Sequence, residues 1–237
     1  DPQEYVSGVY STNATTESMA VVAHTHSCTA ENTYKCACGF TCTHKTFEDG
    51  KCSICGYDCP HDADNVRENN GVYTCMTCNL QMVAEVTKGG MTTYDTDLAA
   101  AMNNAADGTT VKLLKDTAEG LQIRVEVIGG KTLTLDMNGH TINYAGFSVS
   151  DTHEQRPNKL KIIGTGSFLG EYTPILVWEQ GSLDLSGWTG GTIKRVSLGY
   201  SVQSAVDEPG LIVGADAGRI DELVFQNWRV SNINKTT

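Results

Sequence analysis

Lys131-Thr132-Leu133-Thr134-Leu135-Asp136-Met137-Asn138-Gly139 alternates apolar and polar side chains and then ends on Asn-Gly, a dipeptide that marks a tight turn. The same apolar-polar-apolar core occurs at Val111-Lys112-Leu113, Leu160-Lys161-Ile162 and Leu183-Asp184-Leu185, each with Asn or a small polar residue one or two positions before it. Their first positions lie 22, 27 and 23 residues apart. A strand-period pattern that returns at a near-constant interval is the signature of a stacked solenoid. The spacing predicts a right-handed parallel β-helix of about five or six rungs, continued by strands over Ile193–Tyr200, Leu211–Gly214 and Leu223–Phe225, with corners at Asn138-Gly139 and Gly190-Gly191. A β-sandwich is the alternative, because hairpin-like spacing is also partly present.

One helix precedes this region. Leu98, Ala101, Met102 and Ala105 recur at helical spacing, Asp95 or Thr96 can cap the start, and Gly108 closes the end. A short amphipathic helix must bury its stripe on something, so it is expected to cap the first rung over residues 95–106. No comparable cap follows Trp228.

All nine cysteines lie between Cys28 and Cys78. His26-x-Cys28 is followed after seven residues by Cys36-x-Cys38. Cys42-x-His44 is followed after seven by Cys52-x2-Cys55, and Cys59-x-His61 after thirteen by Cys75-x2-Cys78. Twelve ligands thus divide into three Cys3His sets, the count and spacing that structural zinc requires. Gly39, Gly56 and Asn79 follow the second cysteine of each pair, where a zinc knuckle needs positive φ. Lys35–His44 and Lys51–His61 read as copies of one unit. The competing disulfide framework would leave one of the nine thiols over and give the histidines no role. Four protein ligands per ion leave no open position, so three structural Zn2+ ions are expected rather than a catalytic one. His24 can stand in for His26.

These features divide the chain into an extended segment, 1–23, with strand-like stretches at Tyr5–Tyr10 and Met19–Val22; a small zinc-ribbon-like module, 24–84; and the helix-capped β-helix, 85–237. The fold is mainly β, in keeping with 24 glycines and 5 prolines in 237 residues. A formal charge of −11, with neither a basic stripe nor a recognition helix, argues against nucleic-acid binding. No apolar run is long enough to span a membrane. The start at Asp1 reads as a processed or trimmed chain.

The runs Asp97–Ala101, Asp107–Asp116 and Gly130–Ile142, together with the Cys-Gly-Tyr-x-Cys-x-His units, resemble the pectate-lyase-like β-helix segments and neighbouring cysteine-rich repeats of large surface proteins of anaerobic gut Firmicutes. The resemblance covers most of residues 26–145. It implies a secreted or wall-displayed protein with structural metal, and it carries no catalytic residues.

Chemistry elsewhere is thinner. The loop Asp151-Thr152-His153-Glu154-Gln155-Arg156-Pro157-Asn158-Lys159 concentrates polar groups, of which Asp151, His153 and Lys159 are candidate ligand-binding residues, although a solvated excursion has the same composition. Asp136 and Asp184 occupy comparable places two repeats apart, with Asn138 and His140 beside the first; stacked on one face they could bind Ca2+ or sugar, although outward-facing solvated carboxylates have the same pattern, and no acidic pair repeats at the spacing a lyase needs. Trp178, Trp188, Tyr172 and Tyr200 are candidates for a sugar-stacking platform. The expected function is a non-enzymatic extracellular or cell-surface module for adhesion or spacing, whose partner is a surface glycan, a protein or another copy. A head-to-tail filament subunit and a polysaccharide lyase or hydrolase are the alternatives.

Overall fold

The computed structural model describes residues 41–118, 123–143, 145–150, 156–170, 174–178, 180–199, 210–225 and 233–235. The chain divides into two compact units at the Cys59–Pro60 bond. The expected strands at Tyr5–Tyr10 and Met19–Val22 lie outside the described residues.

In the first unit, β1 (Phe47–Glu48) and β2 (Lys51–Cys52) form an antiparallel hairpin. Its two-residue turn, Asp49-Gly50, has φ of 49° and 78°, the doubly positive geometry that joins twisted strands most directly. Phe47, Cys55 and Tyr57 pack partly buried around Cys42 and Cys52.

The second unit begins with another such hairpin, β3 (Val66–Asn69) and β4 (Val72–Cys75), turned by Asn70-Gly71 at φ 52° and 80°. A third hairpin follows, β5 (Ala84–Lys88) and β6 (Met91–Asp95), and then α1 (Leu98–Asn103). The cap differs from the expected Asp95 or Thr96. Asp97 accepts from the Ala100 N–H (2.9 Å), while the Asp95 carboxylate accepts from the Asp97 N–H (2.9 Å). The helix also ends earlier than 106, at Asn103 with Asn104 as its C-cap. Leu98, Ala101 and Met102 are nonetheless buried, joined by Ala105 just beyond the helix, and α1 lies against β5, β6, β7 (Thr110–Leu113) and β8 (Ile123–Val127).

The solenoid then coils through β9 (Thr132–Asp136), β10 (Thr141–Ile142), β11 (Ala145–Val149), β12 (Asn158–Thr165), β13 (Ser167–Phe168), β14 (Ile175–Val177), β15 (Gly181–Gly190), β16 (Thr192–Leu198), β17 (Leu211–Val213), β18 (Arg219–Phe225) and β19 (Ile233–Lys235). One sheet runs β6-β5-β7-β9-β12-β15-β17-β19, parallel from β7 onward. The other stacks β8, β11, β14, β16 and β18 in parallel, with β13 paired to β16 and β10 paired to β13. Parallel neighbours connected by full coils exclude the sandwich alternative, whose strands meet as antiparallel hairpins.

The solenoid makes about three turns, most regular from β9 through β16. This is fewer than the five or six rungs expected from the repeat interval. The interior is a set of apolar columns. Leu133, Leu160, Leu183 and Leu211 stack in one sheet; Val125, Phe147, Ile175 and Val196 stack in the other. All of these are buried. Phe147 and Phe168 meet edge to face, 5.5 Å between centroids, the arrangement that ring quadrupoles favour.

Candidate metal centre

Two clusters arise from one local design used twice. In the first, Cys42-x-His44 precedes the β1–β2 hairpin and Cys52-x2-Cys55 ends it. In the second, Cys59-x-His61 precedes β3–β4 and Cys75-x2-Cys78 ends it. The knuckles match bond for bond. The Gly56 N–H donates to the Cys52 carbonyl (2.8 Å) and the Asn79 N–H to that of Cys75 (2.8 Å). The Cys52 N–H donates to Tyr57 O (2.8 Å) and the Cys75 N–H to Leu80 O (2.9 Å). The residue after each first cysteine is tied back across the hairpin: Ser53 to Thr46 O (3.1 Å), Met76 to Asn65 O (2.7 Å). Gly56 and Asn79 hold φ of 71° and 61°, the left-handed backbone expected of a knuckle. Both histidines also sit at positive φ, 50° for His44 and 47° for His61, which turns each ring back toward its knuckle. The repeat is therefore a C-x-H, hairpin, C-x-x-C unit. Of the copies aligned in sequence, Lys51–His61 instead crosses from the first cluster into the second, and the first part of Lys35–His44 lies outside the described residues.

Within each cluster the ligand atoms all lie within 4.8 Å of one another. Cys42 Sγ and Cys52 Sγ are 3.4 Å apart, Cys55 Sγ is 3.3 Å from His44 Nδ1, and Cys78 Sγ is 3.3 Å from His61 Nε2. A disulfide needs about 2.05 Å, and no described cysteine is in one. Metal–sulfur bonds of about 2.3 Å and metal–nitrogen bonds of about 2.0 Å around a tetrahedron require edges only a few tenths of an ångström longer than these separations. The donor set, three thiolates and an imidazole, suits a soft to borderline divalent ion. Both clusters can hold zinc. The third predicted set, His26, Cys28, Cys36 and Cys38, and its alternate His24, lie outside the described residues.

Two thiols of the first cluster are shifted in opposite directions. Burial pushes the Cys52 thiol up, but the His44 ring and the N–H groups of Ile54 and Cys55 outweigh it and bring its pKa down to about 6. Burial raises the Cys55 thiol to about 12, with the neighbouring Cys42 and Cys52 sulfurs adding to the rise. Metal binding must therefore displace a proton from Cys55. The Cys52 thiolate, whose pKa lies below that of an unfolded thiol, contributes fully above the unfolded value and is lost as pH falls through about 6. Acidification from about pH 7.5 to about pH 5.5 is expected to weaken metal binding here severalfold or more, measured by competition with a chromophoric chelator. His44 stacks on Tyr57, with centroids 4.2 Å apart, which fixes the imidazole plane.

The other candidate residues are dispersed. Trp188 is corrected: it is wholly buried, its Nε1 donates to Gly166 O (2.9 Å), and it belongs to the core rather than to a surface platform. Trp178 is half-buried with its ring laid on Gly199, where an added Cβ would fall 1.6 Å from it. Lys159 is half-buried in β12, opposite Thr132 and Ser182. Asp151, His153, Tyr172 and Tyr200 lie outside the described residues. Asp136 and Asp184 accept from the N–H groups of Asn138 and Ser186, each at 2.9 Å, the first at the Asn138-Gly139 turn and the second beside the register shift within β15. His140 Nδ1 lies 3.1 Å from Asp116 Oδ1. Among the described residues no helix is long and apolar enough to cross a membrane.

Comparison of the chain with family models, with curated proteins and with solved structures found no match to any of them.

Proposed function

We propose that the protein is a non-enzymatic extracellular or cell-surface module, a rigid β-solenoid with zinc-stapled hairpins at its N-terminal side, serving adhesion or spacing. The observation that carries this reading is ligand completeness: each described cluster supplies four protein donors within 4.8 Å of one another, which leaves no coordination position for a substrate or an activated water. The metal is then structural zinc, and His26, Cys28, Cys36 and Cys38 supply a third site of the same kind. The resemblance to surface proteins of gut Firmicutes supports display outside the cell, with a glycan or protein partner.

A second reading, head-to-tail assembly, is favoured by the far end of the solenoid. Leu223 of β18 stacks on buried Val196 yet is 38% exposed, an apolar position on a parallel strand of the kind a stacked neighbour covers.

One set of measurements separates these readings. Elemental analysis of the purified chain is expected to find three zinc ions, light scattering a monomer, and a glycan-degradation screen with added calcium no product. Fibres would shift the conclusion to the second reading. Glycan cleavage, or a metal carrying an exchangeable water, would sink both.

A further inference from the structure

The two clusters share a design but not a setting. We infer that the first, Cys42, His44, Cys52 and Cys55, is a labile site that surrenders its ion before the second and lets its hairpin unfold while the solenoid stays folded. This rests on the zinc reading above and adds the order of loss.

The difference lies in what holds each backbone once the ion is gone. Around the first cluster the strands are two residues long, the partly buried apolar neighbours among the described residues are Phe47, Cys55 and Tyr57, and Ile54 at the knuckle tip is 42% exposed. The Lys51–Asp58 ion pair is exposed on both sides and adds little. So small a cluster cannot offset the entropy of ordering its backbone, so folding there must draw on metal binding.

His61, Cys75 and Cys78 rest on more. β3 and β4 pair over four residues. The Tyr94 N–H donates to His61 O (3.1 Å), and the Met82 N–H to Tyr73 O (2.8 Å). Asp62 bridges to Thr93 and Thr74 to Gln81. Cys75 and Met82 are fully buried, and Val83 and Leu114 carry the hydrogen bonding on into the solenoid sheet. Three ligands are therefore held near their metal-bound places by protein alone, and less ordering is charged against the ion.

An apo state with a few more disordered residues must order more backbone when the ion returns, which accounts for an affinity at least about tenfold lower. The test dialyses the full, zinc-loaded chain against increasing chelator and reads bound metal together with hydrogen exchange. The expected result is early loss of an ion with loss of protection confined to residues 42–58, while 61–82 stay protected. Cys55→Ser is expected to remove the weak step and Cys78→Ser a tighter one. Simultaneous loss, or earlier exposure of 61–82, would overturn the inference. A chain that takes up no zinc at all would instead overturn the reading beneath it.

Discussion

Trp188→Ala is expected to destabilise the solenoid by about 3–5 kcal/mol, the range for deleting a large buried aromatic. That is a large share of the stability of an ordinary domain. Three features place the residue at the high end. It is fully buried. Its indole N–H satisfies the Gly166 carbonyl at 2.9 Å, so truncation leaves an acceptor without its partner. Its ring also fills space that backbone cannot refill: a Cβ on Gly218 would stand 2.7 Å from the ring and 2.5 Å from Gly191 O, so this corner is held at fixed spacing. Trp188→Phe keeps much of the volume and loses the hydrogen bond, and is expected to cost less than the alanine variant. Urea unfolding followed by far-ultraviolet circular dichroism separates the two. An alanine variant as stable as the parent would show that this corner is not part of the cooperative core.

Trp188 also shows where reading the chain directly breaks down. From Leu183 and Leu185 a period of two predicts that even-numbered positions face out, so a tryptophan at 188 looks exposed. Between β12 and β15 the register shifts twice, between Lys161 and Ile163 and between Gly164 and Thr165. A shift of one residue exchanges the faces of everything after it, and the indole turns inward. Gly187, which stands at the first shift, is the local sign of a bulge, since a glycine inside a strand pattern marks such places.

The first sheet was legible because its cores, Val111/Leu113, Leu133/Leu135, Leu160/Ile162 and Leu183/Leu185, are short and regular, and all eight residues are buried. The second sheet was harder to read. Its inward pairs Val125/Val127, Phe147/Val149 and Ile175/Val177 alternate as cleanly, but inserts of unequal length, such as 151–155, separate them from the first sheet's strands. A single repeat interval therefore recovers one strand per coil and misses its partner. The two described ligand sets follow from spacing alone, since tetrahedral coordination leaves little freedom in which donors lie close in sequence. The hairpins between the ligand pairs did not, although Asp49-Gly50 and Asn70-Gly71 are strong hairpin signals. With metal as the only organising idea, those dipeptides read as spacer.

Cys52→Ser is expected to unfold residues 42–58 under conditions where the parent is ordered, and to leave the thermal transition of the solenoid unchanged. Cys52 is the most buried ligand of its cluster, begins the knuckle, and pairs with Phe47 in β1–β2. Serine keeps the shape but is a poor ligand for a soft to borderline ion, so the ion is lost and with it the term that offsets backbone ordering. Structural zinc supplies about 10–16 kcal/mol of apparent binding free energy in small metal-dependent folds, far more than two-residue strands and two half-buried rings provide. The solenoid has its own core, from Ala84 to Leu211, which owes nothing to that ion, and its melting is governed by apolar columns rather than by sulfur. The measurement is a pair of readouts on one sample: amide exchange across 42–58, and the main calorimetric transition. Full exchange with an unmoved transition is the expected pattern. If the transition falls by many degrees alongside the exchange, the small hairpin is part of the solenoid's cooperative unit. If protection survives without the thiolate, packing rather than metal holds the hairpin together.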